Sequence, residues 1–266
     1  MNEFGKEFFN LLEKRNNFIF FPEEKTMNFY NNGNEYKIET VILDYSNFDK
    51  ELINNCYKIA DVKSRKTMDF NQAGKKRILK EKIMKQFRGV LAETIVHLYL
   101  YYRCNIDKNN IKRYDIERES FEYSQEEYDV NVILNNNKII TLEIRSSNNP
   151  YKNISDYLSN RGIKYVYFNE HKKKEKFRDL AIAVIYDLEN HTGQLGDKQI
   201  EKFFNNLKDK KYKIYLITHC ATIRHLKKGQ YIVDSLKQNN TQYLEVPFYY
   251  VADNKYNIRN IFSSIK

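Results

Sequence analysis

The chain has 266 residues, of which 41% are hydrophobic, 15% aromatic and 30% charged, with only 8 Gly and 3 Pro. That balance predicts a folded core and excludes disordered, collagen-like and low-complexity classes. Lys+Arg 45 against Asp+Glu 35 leaves a formal charge of +10, so a polyanion is the expected partner and nucleic acid the first candidate; AT-rich codon usage is the plainer source of the same lysines.

No apolar run reaches the ~20 residues of a membrane span. Glu3 and Glu7 stand where a secretory leader has its basic start. The three cysteines, Cys56, Cys104 and Cys220, are far apart and form no CxxC, as expected for buried or incidental thiols of a reducing, cytoplasmic compartment.

Residues 1–72 read as an N-terminal α+β elaboration and 73–266 as the core. The first part opens with an amphipathic segment (Phe4, Phe8, Phe9, Leu11, Leu12). A hairpin follows around Asn32-Gly33, a strong turn signal between alternating runs, and then a helix near Leu52 to Ala60. The clearest helix spans 75–102, with Leu79, Ile83, Phe87, Val90, Leu91, Thr94, Leu98 and Tyr102 near the 3.6 period; Glu93 lies on the flank of that stripe. A second hairpin covers 128–145. A short helix opens at Ser155 or Asp156 and closes at Gly162, before the strand KYVYF and the basic loop HKKKEKFR. DLAIAVIYDL is apolar on both faces, as a central covered strand is. A helix at 197–209, a strand at 212–218, a helix from Thr222 and a last strand in YLEVPFYYVA complete the chain, with Pro247 implying an edge or a bulge. The alternation predicts an α/β fold with a mixed central sheet flanked by helices.

The second hairpin carries the chemistry. Sharing one buried face between its strands pairs Val130 with Leu142, Val132 with Ile140 and Tyr128 with Ile144, and leaves Asn135-Asn136-Asn137 as the loop. The same register sets Asp129 opposite Glu143 on the polar face, with Arg145 two residues further on. Carboxylates ~5 Å apart across a strand pair repel unless a cation lies between them. Arg145 meets part of that need. A divalent ion such as Mg²⁺, which takes one or two carboxylates plus phosphate and water, meets it better.

Tyr128-Asp129, Glu143-Ile144-Arg145 and the upstream GVLAE stretch ending in Glu93 resemble the PD-(D/E)xK nuclease superfamily over residues 75–220, as does the order helix, hairpin, helix, strand. The resemblance implies a restriction-endonuclease-like core. It implies Asp129, Glu143 and the Ile144 carbonyl around Mg²⁺, Glu93 and Arg145 as further catalytic residues, and double-stranded DNA as substrate. The expected activity is that of a bacterial type II restriction endonuclease, acting as a homodimer because a two-fold axis matches palindromic sites.

This chain departs from the family pattern with Tyr128 in place of proline and Arg145 in place of lysine. Arginine supplies charge but no base. The lysine's task therefore falls to metal-activated water, to a lysine elsewhere, or to nothing, in which case the site is inert. Ser146, Ser147 and Asn148 border the site, and Lys172, Lys173, Arg224, Lys227 and Lys228 are placed to touch phosphates. A plain reading competes throughout: a solvated hairpin face holding an Arg–Glu pair, with the lysines as ordinary surface. His219, Cys220 and His225 lack a second Cys/His pair at zinc spacing. Two further functions stay open: a repair, junction or RNA nuclease of the same fold, or a non-catalytic DNA-binding protein with a decayed site.

Overall fold

The computed structural model describes residues 1–14, 21–45, 48–66, 78–119, 121, 128–168, 178–188, 212–228, 230–233 and 242–264. The strands are β1 (Lys25–Asn31), β2 (Asn34–Asp44), β3 (Ile111–Arg113), β4 (Val130–Ile133), β5 (Ile139–Asn148), β6 (Gly162–Phe168), β7 (Leu180–Leu188), β8 (Tyr212–Thr222), β9 (Gln230–Val233) and β10 (Gln242–Pro247). The helices are α1 (Glu3–Lys14), α2 (Lys50–Lys66), α3 (Leu79–Tyr102), the single turn α4 (Tyr114–Glu117), α5 (Ile154–Asn160), the turn α6 (Phe248–Val251) and α7 (Ile258–Ser263).

Seven strands form one mixed sheet in the order β1-β2-β8-β7-β5-β4-β3, and three form a second in the order β6-β10-β9. Only β5 and β7 run parallel in the large sheet. The expected α/β fold with a mixed central sheet flanked by helices is present. β1 and β2 extend that sheet through β8, so the N-terminal elements share the main core.

The sheet buries two faces because its central strand β7 is apolar at every position from Leu180 to Tyr186. On β7, Leu180, Ile182, Val184 and Tyr186 join the core beneath α1, α2 and α3. Ala181, Ala183 and Ile185 face the small sheet, α5 and α6, with Ile163, Tyr165, Leu244 and Val246 packed over them. Two alanines on that side leave room for a second sheet to approach, and a second close approach occurs at Gly162, where a Cβ would lie 2.2 Å from the Val246 carbonyl oxygen.

Local chemistry sets the element ends. Asn32 (φ 49°) and Gly33 (φ 79°) make the β1–β2 turn, as an Asn-Gly pair with two positive φ values does. Asp49 caps α2, accepting from Glu51 N at 2.7 Å. Asn153 and Asp156 cap α5 reciprocally: Asn153 Oδ1 accepts from Asp156 N at 2.8 Å, and Asn153 Nδ2 donates to Asp156 Oδ2 at 2.9 Å. α5 also closes the outer edge of β1. Ser155 Oγ donates to the Asn28 carbonyl at 2.9 Å, and Ser159 Oγ accepts from Tyr30 N at 3.3 Å.

Several elements differ from expectation. KYVYF belongs to the small sheet. β8 runs four residues further than expected, to Thr222. The helix expected from Thr222 is a 3₁₀ turn, Ile223–Lys228, because His225 Nδ1 takes the Thr222 N–H at 3.0 Å. β10 lies in the middle of its sheet and not at an edge. It carries a register shift between Leu244 and Glu245 and stops at Pro247, where the missing N–H costs the ladder nothing. The helix expected at 197–209 and residues 75–77 lie outside the described residues.

Candidate active site

The β4–β5 ladder has the expected register: Val130 faces Leu142, Asn131 faces Thr141 and Val132 faces Ile140. Leu134 N donates to the Lys138 carbonyl at 2.9 Å, and Asn137 turns the loop at φ 59°. β4, however, begins at Val130. The expected Tyr128–Ile144 pair is replaced by a side chain: Asp129 Oδ2 accepts from Ile144 N at 2.6 Å, while the Asp129 carbonyl accepts from Tyr114 N at 3.1 Å. Asp129 therefore completes the ladder with its carboxylate and stands in the plane of the sheet.

Glu143 and Arg145 point to the face that carries Ala181 and Ala183, their register partners on β7. Arg145 Nη2 lies 2.9 Å from Glu143 Oε1. A second guanidinium enters from the residue pair just before β7: Arg178 Nε lies 3.6 Å from Glu143 Oε2, the two side chains being 13% and 15% exposed. Arg178 is fixed from both sides. Its carbonyl accepts from Tyr165 Oη, and Asp179 grips β5 through Thr141 N at 2.8 Å and Thr141 Oγ1 at 2.9 Å.

Glu93 is on the other face of the sheet and is buried. Burial, then the charges of Asp115 and Asp129, hold its carboxyl well above the usual range, opposed by Lys63 and Arg113. Lys63 reaches over from α2 to place Nζ 2.8 Å from Asp115 Oδ2. Arg113 is fully buried and stacks over Phe8 at 5.2 Å, and its guanidinium nitrogens have no hydrogen-bond partner among the described residues. The structure thus brings Asp129, Ile144, Glu143, Arg145 and Arg178 together along one strand, and sets Glu93 behind them in an acidic group with Asp115.

The remaining candidates scatter. Ser147 turns inward to Tyr157, whose phenol burial pushes up to about 12. Ser146 and Asn148 are half-buried on β5, and Arg224 is exposed on the turn after β8. That turn leaves the sheet at the level where β7 begins, since Thr222 pairs with Leu180. The side chains of Lys227 and Lys228, and the whole of Lys172 and Lys173, lie outside the described residues. His219 Nδ1 is spent on the Val251 carbonyl at 2.7 Å. All three cysteines are buried thiols, not joined in disulfides. Sequence reasoning missed Arg178. The signal was its place beside a strand parallel to β5, because parallel neighbours begin at the same end of a sheet.

The donors along this strand suit a hard cation. Asp129 and Glu143 offer carboxylate oxygens. A strand residue's N–H and C=O leave on the same side, so the Ile144 carbonyl faces the edge where Asp129 binds the Ile144 N–H. Among the described residues no three His, Cys, Asp or Glu side chains form a ready cage, but Mg²⁺ needs only one or two carboxylates. The residues fit, on the condition that Glu143 gives up an arginine contact. No helix of the described residues is long and apolar enough to cross a membrane.

An uncharacterized protein of Methanocaldococcus jannaschii is 27% identical to this chain over 217 residues, which cover 73% of the chain and 76% of that protein. No protein-family model matches the chain, and no solved structure matches it.

Proposed function

We propose that the protein is a Mg²⁺-dependent endonuclease of the PD-(D/E)xK type, cutting double-stranded DNA as a site-specific type II restriction enzyme. One observation carries this reading: the Asp129 carboxylate sits on the Ile144 backbone, at the residue between Glu143 and Arg145. The chain order around it supports the same reading, with α3, the β3-β4-β5 meander, α5 and then β7 laid parallel to β5.

In this reading Asp129, Glu143 and the Ile144 carbonyl hold the metal. Bound there, Mg²⁺ supplies Lewis acidity toward the phosphate and lowers the pKa of a water. Arg145 donates to the non-bridging oxygens as negative charge builds on phosphorus. It removes no proton, because its own pKa is too high. Asp129 is preorganised, since the Ile144 N–H fixes one of its oxygens at 2.6 Å. A duplex partner and a two-fold dimer belong to the same proposal.

One observation favours a second reading. Both oxygens of Glu143 already face guanidinium groups, which balances the local charge without a metal, as a DNA-binding protein with an inert site would. Cleavage of plasmid DNA with and without Mg²⁺ decides between them. The nuclease reading expects discrete fragments only with the metal. It also expects Asp129→Ala and Glu143→Ala to abolish cutting while DNA binding survives in Ca²⁺. Persistent cutting by either variant, or no cutting by the wild type on varied duplex substrates, removes the nuclease assignment.

A further inference from the structure

β8 carries a histidine that the site on β5 does not use. His219 is fully buried, and its bridge to Asn257 sets the C-terminal segment beside it. The ring is tied on one side, where Nδ1 lies 2.7 Å from the Val251 carbonyl. A carbonyl only accepts, so Nδ1 carries the hydrogen and Nε2 of the neutral ring is a lone pair. Burial pushes the His219 pKa down, against the pull of the Val251 carbonyl, Glu39, Glu24 and Asp253, and the ring is neutral at pH ~7.

That lone pair faces another acceptor. Glu39 Oε2 of β2 stands 3.8 Å from Nε2, and Nε2 has no hydrogen-bond partner among the described residues. Two acceptors turned toward each other in a buried place repel, and a cation between them satisfies both. The surroundings are those of metal ligands: a metal-binding histidine gives its other N–H to a backbone carbonyl, and a ligating carboxylate is hydrogen-bonded in turn. Here Asn257 Nδ2 donates to Glu39 Oε2 and, at 3.1 Å, to Thr218 Oγ1. Thr218 Oγ1 donates to the Glu39 carbonyl at 2.9 Å. Glu24 adds negative charge near the imidazole, with Tyr99 Oη and Arg259 on its own carboxylate. The Glu39 side chain is 35% exposed, which leaves a way in from solvent.

We propose that His219 Nε2 and the Glu39 carboxylate form a site for a borderline divalent ion, Zn²⁺ foremost, which staples the C-terminal segment to β2 and β8. An imidazole beside a carboxylate selects such an ion over Mg²⁺. Tetrahedral ligands at bond lengths of ~2.1 Å stand ~3.4 Å apart, so a closure of ~0.4 Å seats the ion. Among the described residues no third His, Cys, Asp or Glu completes the set, and water takes the remaining positions. The site is separate from Asp129 and Glu143 and owes nothing to the nuclease reading.

The test uses the full chain, stripped with EDTA, near neutral pH. Zn²⁺ is titrated by calorimetry in excess Mg²⁺, which competes at Asp129 and Glu143, and melting is followed with and without Zn²⁺. The wild type should bind one Zn²⁺ that Mg²⁺ does not displace, and should melt at a higher temperature with it. Glu39→Gln keeps an acceptor for Asn257 and deletes the charge. Glu39→Gln and His219→Ala should each weaken Zn²⁺ by at least ~10-fold, since even the loss of an outer hydrogen-bond partner costs ~10–100-fold, and should lose the gain in melting temperature. In ¹⁵N-labelled wild type, Zn²⁺ should shift the His219 Nε2 resonance while Nδ1 keeps its proton, a readout that stands even if His219→Ala does not fold. Three results overturn the proposal: no Zn²⁺ held by the wild type in excess Mg²⁺, Zn²⁺ held equally well by a folded variant, or a His219 Nε2 already protonated without metal, in which case a proton fills the gap. None of them touches the nuclease reading.

Discussion

Lys63 of α2 offers a quantitative test of the buried charges behind the strand. Its ammonium lies 2.8 Å from Asp115, with the two side chains 11% and 2% exposed, and it is the nearer of two cations on that carboxylate. Lys63→Met keeps the packing stem and deletes the charge. Asp115 then retains Arg118 at 3.9 Å, and the group formed with Glu93 and Asp129 loses the leading cation that offsets it. Removing one partner of a buried pair costs about 3–5 kcal/mol, because the other charge is stranded. Arg118 still covers part of the Asp115 charge, so a loss of about 3 kcal/mol, the lower end of that range, is expected. At a urea m-value of ~3 kcal/mol/M this lowers the unfolding midpoint by about 1 M. Adding Asp115→Asn to Lys63→Met should recover about half of the loss, since the penalty lies in the stranded carboxylate and not in the missing contact. Equilibrium urea unfolding followed by far-UV circular dichroism suits a chain without tryptophan. A loss below about 1 kcal/mol, the size of a surface pair, would mean that water reaches this carboxylate and that the charges are not buried in the sense used here.

Arg145→Ala should slow single-turnover cleavage by about 10²–10³ with little change in affinity for uncut DNA, and Arg145→Lys should keep appreciable activity; an unchanged rate with a lowered melting point takes Arg145 off the catalytic list. Burial first, then Arg113, holds His97 neutral to well below its usual range. The unfolded chain therefore binds the proton first: the stability contribution is complete above pH ~6.5 and declines as pH falls below it. Urea midpoints at pH 8 and pH 5 should differ less in His97→Leu than in the wild type, and equal differences would contradict the assignment. Gly162→Ala should destabilise at or beyond the upper end of the ~1–3 kcal/mol usual for overpacking, because its methyl meets the Val246 carbonyl oxygen at 2.2 Å and the Pro247 Cα at 2.8 Å, which are backbone atoms; a melting temperature within a degree of the wild type would show that β6 and β10 separate easily.

Much of the architecture was written in local patterns. Alternation on both strands of the second hairpin fixed its register, because a slip of one residue would expose Val130, Val132, Ile140 and Leu142 together. Asn32-Gly33 announced the first hairpin, and the unbroken apolar run 180–188 announced a strand covered twice. What stayed hidden depended on distant contacts. Nothing near Asp129 tells that its carboxylate substitutes for a backbone partner of Ile144, since that follows from β4 beginning only at Val130. Arg178 lies 35 positions from Glu143, and only the parallel β5–β7 register joins them. Helical periodicity set Glu93 at the flank of an apolar stripe but gave no depth, so its company with Asp115 and Lys63 was invisible. The place of KYVYF in a second sheet was equally hidden, because a strand pattern names a face and not the sheet it enters.

The serine contacts on β1 bear on how copies of this protein can meet. An open strand edge offers a row of vacant donors and acceptors, and it templates growth by recruiting any extended chain nearby. At this end of the seven-stranded sheet, Ser155 and Ser159 have already answered the Asn28 carbonyl and the Tyr30 N–H, and Asn31 Nδ2 adds a bond to the Ser159 carbonyl at 3.1 Å. Growth by strand addition is thereby stopped from within the molecule. Strand addition between copies is left to the three-residue β3 at the opposite end or to β6 and β9 at the edges of the small sheet, and α5 acts as a terminator as well as part of the crossover between β5 and β7.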